Sequence, residues 1–266
     1  MSLELATCNI RESLAEPENM PDAVEQIKGL DSDVIILGDA YSITNTLHGS
    51  TEDTLHEARE KLYLAGYENG LEIEYEDESP WHHDRNIMML SRIALDLSQI
   101  RLGTRNAIEG QAANQSGNIL QIVGAHFDDR SEAAHIRQAK AFIQRYDPEL
   151  PVVLAGDLNI LDRGDKWSSV FGSKAFRLSA KYLPTARSRS IAIRIGEAAR
   201  GTAMELLTNN GFVDTDSARQ PTFPARRPFL RPDHILASPA VNIKTRVIEP
   251  YSKHIDHLAL KANVSW

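Results

Sequence analysis

The sequence predicts one α/β domain over residues 1–266, in which two β-sheets stack on each other and helices cover the outside. Apolar runs typical of buried strands, such as those at residues 34–37 and 152–155, directly follow amphipathic helix patterns. Residues 67–123 instead alternate apolar and polar side chains with no helix pattern between them, which predicts consecutive, mostly antiparallel strands. No linker-like stretch divides the chain, and 266 residues can bury a substantial core.

Four segments carry apolar residues at the spacing of one helix face. Ser131 is the predicted N-cap of the segment 131–146, because its hydroxyl can accept a hydrogen bond from a backbone N–H of the first turn. Gly66 is the predicted left-handed cap that ends the segment 53–65. Residues 163–197 show no clear pattern, and the proline-rich residues 220–232 predict an extended loop. The four predicted helices are 21–30, 53–65, 131–146 and 198–210.

Polar side chains flank the apolar strands at six places. The clearest is Gly156-Asp157-Leu158-Asn159, which taken alone favours a turn whose Asp and Asn side chains bind their own backbone. Repetition along the chain favours a shared site at the strand ends. We interpret His234 as a buried structural residue, and His82-His83-Asp84 as an exposed loop, because adjacent histidines point to opposite faces of an extended chain. The six places are Asn9, Asp39, His126, Asp157, Asp233-His234 and Asp256-His257.

Composition narrows the class of protein. The formal net charge of −8 and the pI near 5.6 do not suggest an obligate nucleic-acid-binding protein. Residues 174–231 nevertheless hold eleven Lys and Arg against four acids, a net charge of +7 that suits either an anionic substrate or a solvated surface. Cys8 is the single cysteine and predicts a reduced, buried thiol. The absence of a signal-like or membrane-spanning run predicts a soluble, cytoplasmic protein.

The motifs together, in their order along the chain, resemble those of the endonuclease/exonuclease/phosphatase superfamily, the metal-dependent phosphoesterases related to deoxyribonuclease I. The resemblance runs from residue 7 to residue 257 and implies a four-layer fold, with two mixed, mostly antiparallel sheets between outer helices. The matching motifs are Thr7-Cys8-Asn9-Ile10, Gly38-Asp39, Met89-Leu90-Ser91-Arg92, Gly124-Ala125-His126-Phe127-Asp128, Gly156-Asp157-Leu158-Asn159, Arg231-Pro232-Asp233-His234-Ile235-Leu236 and Ile255-Asp256-His257.

The resemblance implies a divalent metal, Mg²⁺ or alternatively Mn²⁺, held by Asn9 and Asp39 with Asp256 nearby. A hard cation prefers such oxygen ligands. The chain departs from the family at position 39, where glutamate is usual. Aspartate is one methylene shorter, and Mg²⁺ requires near-octahedral geometry, so we expect a weaker site or one bridged by water. Ile255 stands where the family usually has serine.

The resemblance also implies roles for five further residues. Asp157 and Asn159 would position the attacking water and the phosphate. His257 would be the principal catalytic histidine, oriented by Asp233, whose charge would favour the imidazolium form. His126 would bind phosphate, as in the nuclease-I, sphingomyelinase and phosphatase branches of the superfamily.

The predicted function is a Mg²⁺-dependent phosphoesterase, a nuclease or a phosphatase, that cleaves a phosphodiester or phosphomonoester by direct attack of water. Positioning and electrostatic stabilisation supply most of the catalysis in such a reaction. The expected partner is an anionic phosphate ester: a nucleic acid, a phosphorylated metabolite or a lipid head group. The alternative is a member that binds a phosphate ligand but has lost the chemistry, because the acid at position 39 is short and a fold does not guarantee activity.

Overall fold

The computed structural model describes residues 2–11, 13–14, 17–40, 52–74, 86–129, 131–248 and 255–266, so the His82-His83-Asp84 segment lies outside the described residues. Twelve strands and seven helices lie in the described part of the chain. The strands are β1 (Ser2–Asn9), β2 (Val34–Gly38), β3 (Asn69–Glu74), β4 (Asn86–Ser91), β5 (Asp96–Leu102), β6 (Arg105–Ala113), β7 (Ile119–Gly124), β8 (Val152–Asp157), β9 (Val213–Asp214), β10 (Asp233–Ala237), β11 (Asn242–Ile248) and β12 (Ala259–Ser265). The helices are α1 (Met20–Leu30), α2 (Glu52–Leu64), α3 (Glu132–Arg145), α4 (Ser168–Phe171), α5 (Lys174–Ala180), α6 (Ala186–Ala198) and α7 (Thr202–Asn209).

The strands form two six-stranded sheets, which confirms the predicted α/β sandwich. The first sheet has the order β11-β12-β1-β2-β4-β3, and the second has the order β5-β6-β7-β8-β10-β9. Each sheet contains one parallel pair, β1 with β2 and β7 with β8, and its other pairs are antiparallel. The strands of residues 67–123 are therefore antiparallel as predicted, but β3 and β4 belong to the first sheet while β5 to β7 belong to the second.

Apolar side chains fill three layers. Between the sheets, Ile36 and Met89 of the first sheet pack with Ile122 and Ala155 of the second. Gly124 keeps the sheets close, because a Cβ at this position would lie 3.1 Å from Cγ2 of Ile36. Helices α1 and α2 cover the outer face of the first sheet, and α3 and α7 cover that of the second. The order helix, sheet, sheet, helix is the predicted four-layer arrangement.

The observed helices agree with the predicted ones in the first half of the chain and differ from them in the second half. Ser131 caps α3 as predicted, with its hydroxyl accepting from the N–H of Ala134 at 3.2 Å. The predicted helix at 198–210 is wrong at its start: α6 ends at Ala198, and α7 begins after Gly201, whose φ is 64°. The helices α4, α5 and α6 have no counterpart in the prediction. Buried small residues such as Ala192 and Gly196 of α6 do not produce an apolar stripe in the sequence.

A buried ionic cluster lies beside β10. Arg231, only 2% exposed, donates through Nη1 to Oδ2 of Asp214 at 2.6 Å and through Nε to Oδ1 of Asp165 at 3.1 Å. His234 contacts the same Asp214 oxygen through Nδ1 at 3.1 Å and the carbonyl of Ile160 through Nε2 at 2.9 Å. Both ring nitrogens are thus engaged inside the protein, which agrees with the interpretation of His234 as a structural residue.

The ionic cluster predicts a pH-dependent stability. Burial raises the pKa of Asp214, but the hydrogen bond and charge of His234 and the charge of Arg231 outweigh it and hold that pKa well below 3.8. A lowered folded-state pKa stabilises the fold above the unfolded pKa, and the contribution is lost as the pH falls below it. We expect Asp214→Asn to destabilise the protein by about 2–3 kcal/mol at neutral pH. This difference should shrink below pH 3.8, as urea denaturation over a pH series can measure; a constant difference would contradict the explanation.

No helix of the described residues is both long enough and apolar enough to cross a lipid bilayer.

Candidate functional site

The sheet topology brings polar strand ends from both sheets to one edge of the sandwich. In the parallel pair β1–β2, Asn9 lies opposite Gly38, so Asn9 and the following Asp39 end side by side. In the antiparallel pair β8–β10, Asp157 lies opposite Asp233. A direct hydrogen bond between Asn9 and Asp157 joins the two sheets at this edge.

Four side chains form a buried cluster at the junction of the sheets. The Nδ2 of Asn9 donates to Oδ2 of Asp39 at 3.2 Å and to Oδ2 of Asp157 at 3.0 Å, and Oδ1 of Asn9 accepts from the backbone of Arg11. The ring of His126 lies between the same carboxylates, with Nδ1 3.1 Å from Oδ1 of Asp39 and Nε2 3.7 Å from Oδ2 of Asp157. Because His126 is only 2% exposed, its ring is held between the acids rather than open to solvent.

Asp157 takes part in a turn and in the cluster at once. Its Oδ1 accepts from the backbone N–H of Asn159 at 3.1 Å, which is the hydrogen bond of the turn interpretation, while Oδ2 faces Asn9. Gly156 is required here, since at φ 144° a Cβ would lie 1.8 Å from the carbonyl oxygen of Ala125. Asn159 has a left-handed backbone, φ 51°, and donates through Nδ2 to the carbonyl of Phe127 at 3.1 Å.

A second group consists of a histidine held by a buried carboxylate. The Nδ1 of His257 donates to Oδ2 of Asp233 at 2.8 Å, and the hydroxyl of Thr222 donates to the same oxygen at 2.5 Å. The ring of Phe223 packs on the imidazole with 4.7 Å between centroids. The Nε2 of His257 is thereby directed towards Oδ2 of Asp157, 4.0 Å away.

Neighbouring charges shift the pKa values of His257 and Asp256 at this edge. Burial lowers the pKa of His257, but the charge and hydrogen bond of Asp233 and the charges of Asp157 and Asp256 outweigh it and raise the pKa to about 10. Asp256 is the most open acid of the group, with a side chain 33% exposed and 3.8 Å from Nη1 of Arg11. Its pKa is raised, first by burial and then in part by the charge of Asp39.

The predicted residues therefore meet at one place, in two arrangements. Asn9, Asp39, His126 and Asp157 touch one another, while Asp233 and His257 form a dyad beside them. Asp256 lies beside this dyad, with its Oδ1 4.0 Å from Nε2 of His257. The site contains the hard oxygen donors that suit a divalent cation of the Mg²⁺ type.

One group of three residues brings potential metal-binding atoms of Asp157, Asp233 and His257 within 4.8 Å of one another. Within that group, however, Nδ1 of His257 and Oδ2 of Asp233 are already bonded to each other. The carboxylates near Asn9 could hold a metal ion while leaving the hydrogen bond between His257 and Asp233 intact. Asn9 fits this role as well, since a carbonyl oxygen that accepts one hydrogen bond retains a second lone pair.

The sequence did not indicate two residues of this site, Thr222 and Phe223. Both lie in the segment 220–232, which is a loop as predicted, with Phe223 bridged to Leu230. Backbone contacts fix the loop: the N–H of Leu258 donates to the carbonyl of Thr222, and that of Ala225 to the carbonyl of Asp256. Loop residues carry no periodic pattern, so no sequence signal could assign these contacts. Ile255, at the unusual position beside Asp256, is buried in the apolar layer under α1 and α2.

No protein-family model matches this sequence, and no curated protein matches it. Solved structures do match. An endonuclease/exonuclease/phosphatase from Beutenbergia cavernae is 18% identical, with a TM-score of 0.70, over 99% of this chain and 71% of that chain. A mannosyl-6-phosphatase from Bacteroides thetaiotaomicron is 14% identical, with a TM-score of 0.63, over 99% and 100% of the two chains. An AP endonuclease from Archaeoglobus fulgidus is 15% identical, with a TM-score of 0.58, over 98% of each.

At these identities, the comparisons establish the fold and leave the chemistry to the site itself. Their shared architecture agrees with the sheets, helices and strand-end site described above. The chain has the fold of the endonuclease/exonuclease/phosphatase superfamily, as its ordered motifs predicted.

Proposed function

We propose that this chain is a Mg²⁺-dependent phosphoesterase that hydrolyses a phosphodiester or a phosphomonoester. One observation carries the proposal: a histidine held by a buried carboxylate directs its free nitrogen at a cluster of oxygen donors, across 4.0 Å from His257 Nε2 to Asp157 Oδ2. Two structural neighbours, a mannosyl-6-phosphatase and an AP endonuclease, are named for activities on phosphate esters, which supports this reaction class. Because both sheets supply the site, we propose that residues 1–266 act as one catalytic domain.

The side chains of the site suit distinct tasks in the reaction. Asp157 would accept a proton from the attacking water, and this role is supported by the position of its Oδ2 between Asn9 and His257. His257 stabilises charge on the phosphoryl oxygens or protonates the leaving group, and Asp233 fixes its ring. Asn159 lies beside Asp157 and orients the phosphate. The resemblance implies that His126 binds phosphate; because its ring is buried between Asp39 and Asp157, we propose instead that it holds these two acids in place.

Asn9, Asp39 and Asp256 are the proposed ligands of the metal, with Mn²⁺ as an alternative ion. A bound divalent cation would supply a Lewis acid that neutralises charge on the phosphate. The left-handed backbone of Asp39, φ 46°, turns its carboxylate towards Asn9 and His126. Strained backbone of this kind concentrates at functional sites.

Hydrolysis of two model substrates tests the proposal. We expect turnover of bis-p-nitrophenyl phosphate or p-nitrophenyl phosphate with Mg²⁺ or Mn²⁺, and its loss in EDTA. The ratio of diester to monoester turnover separates a nuclease-like from a phosphatase-like enzyme. Metal binding by calorimetry without turnover of either substrate would overturn the proposal in favour of a phosphate-binding protein.

The acid at position 39 can be tested separately. We expect Asp39→Asn to weaken Mg²⁺ binding by about tenfold or more, because it removes a charged ligand. Asp39→Glu retains the charge and restores the longer acid that is usual at this position, so it should bind Mg²⁺ at least as tightly as the wild type. Isothermal titration calorimetry measures both, with Asp96→Asn on the exposed edge of β5 as the matched control. Equal affinity in Asp39→Asn and the control would exclude Asp39 as a ligand.

Thr222 is proposed as a positioning residue for the dyad. We expect Thr222→Val to lower turnover by about tenfold, because Asp233 loses a hydrogen bond that helps to orient it towards His257. Thr222→Ser keeps the hydroxyl and should restore turnover. Steady-state kinetics of the two variants, together with their melting temperatures, separate positioning from folding. Equal turnover in the valine and serine variants would remove Thr222 from the mechanism.

A further inference from the structure

Residues 166–196 have an unusual charge pattern. They contain seven Lys and Arg and no Asp or Glu, in a chain whose formal net charge is −8, so the rest of the chain carries −15. This acid-free segment, residues 166–196, includes α4, α5 and nearly all of α6. A cationic surface on an otherwise anionic protein is a local feature that favours polyanions.

The acid-free segment also exposes apolar side chains. Seven of the thirteen exposed large apolar residues in the described chain lie in it, and Tyr182 is 88% exposed. Such a concentration next to cations differs from the scattered single apolar residues of an ordinary surface. The seven are Trp167, Val170, Leu178, Tyr182, Leu183, Ile191 and Ile193.

The charges and the apolar groups share one side of α5 and of the turn that follows it. Lys174, Leu178, Lys181 and Tyr182 follow the spacing i, i+4, i+7 and i+8, and all four are exposed. The turn continues past the helix end, since the N–H of Tyr182 donates to the carbonyl of Ser179. We call these four residues the α5 face.

The other side of the segment is anchored beside the candidate site. Phe171, Ile195 and Phe223 pack against the same buried cluster, which includes Leu161 and Leu230. The ring of Phe223 also contacts His257. Arg194 also pairs with Asp129 at 2.8 Å, three residues beyond His126. The segment therefore borders the edge of the sandwich at which the polar strand ends meet.

We propose that the acid-free segment docks this protein on the surface of an anionic lipid bilayer. Lysines attract anionic head groups while their alkyl stems cover apolar surface. Trp and Tyr side chains typically lie at the level of the lipid head groups, and aliphatic side chains reach the boundary between the head groups and the acyl chains. Five of the seven exposed apolar residues are aliphatic, and aliphatic groups cannot stack on bases, so a bilayer fits better than a single-stranded nucleic acid. The proposal concerns binding and goes beyond the proposed hydrolysis.

Sedimentation with vesicles tests the docking, using the full chain. We expect binding to vesicles of phosphatidylcholine mixed with phosphatidylserine and little binding to phosphatidylcholine alone. The double variant Lys174→Gln/Lys181→Gln should bind the anionic vesicles about 25-fold more weakly, since each lysine contributes about fivefold. The matched control Lys28→Gln/Lys140→Gln removes the same charge elsewhere and should bind as the wild type does.

Further variants separate the contribution of the apolar side chains from that of the charges, and separate docking from hydrolysis. Leu178→Ser/Tyr182→Ser should weaken binding while the charge is unchanged, whereas Ile119→Ser/Leu150→Ser, at other exposed apolar positions, should not. His257→Ala should still bind vesicles, so a failure of the proposed hydrolysis would leave docking measurable. Equal losses in both lysine variants, binding of an oligonucleotide but not of vesicles, or binding of neither would each overturn the proposal.

Discussion

Replacing His257 with alanine is expected to lower phosphoester turnover by about a thousandfold or more while leaving the fold intact. The expectation rests on the geometry of the ring: Asp233 fixes Nδ1 at 2.8 Å, and the opposite nitrogen faces Asp157. Without the imidazole, the site loses both a proton donor and a positive charge. Steady-state kinetics on bis-p-nitrophenyl phosphate at saturating Mg²⁺ measure the change.

The matched control is His56→Ala, which removes an exposed histidine from α2. Its turnover should equal that of the wild type, and circular dichroism should show all three proteins folded. Asp233→Asn should give an intermediate loss, because the ring remains but its orientation and charge are no longer supported. Turnover of His257→Ala within a few-fold of the wild type would rule out the proposed role.

Replacing Arg231 with methionine is expected to reduce the free energy of unfolding by about 3–5 kcal/mol. The guanidinium is almost fully buried and pairs with Asp214 and Asp165, so its removal leaves both carboxylates without their guanidinium partner. Methionine has a similar volume, which keeps the loss of packing small. Urea denaturation at neutral pH gives the free energy of unfolding.

Arg219→Met provides the control for this prediction. Arg219 pairs with Asp162 at 3.3 Å, but its side chain is 45% exposed. Exposed pairs contribute less than about 1 kcal/mol, so the control should remain near the wild type. A loss in Arg231→Met no greater than in Arg219→Met would mean that the buried cluster does not stabilise the fold.

The fold and the strand-end site could be predicted from the sequence, because both produce local patterns in it. Asp157 and His257 stand next to apolar strands, and the order of the motifs places them at one edge. Thr222 could not be assigned, because its contact with Asp233 depends on the path of a loop without periodicity. Helix α6 escaped detection because it packs through small residues, and the pairing of Arg231 could not be predicted because Asp165 and Asp214 lie in two other segments of the chain.

Each sheet supplies part of the candidate site, so the apolar layer between the sheets sets the spacing of the proposed catalytic groups. Asn9 and Asp39 move with the first sheet, while Asp157 moves with the second, so the distance between these groups is set by how closely the sheets approach. The close approach of Gly124 to Ile36 helps to fix that distance. The spacing of the proposed catalytic groups therefore depends on core packing, and a single methyl group added at Gly124 would change it.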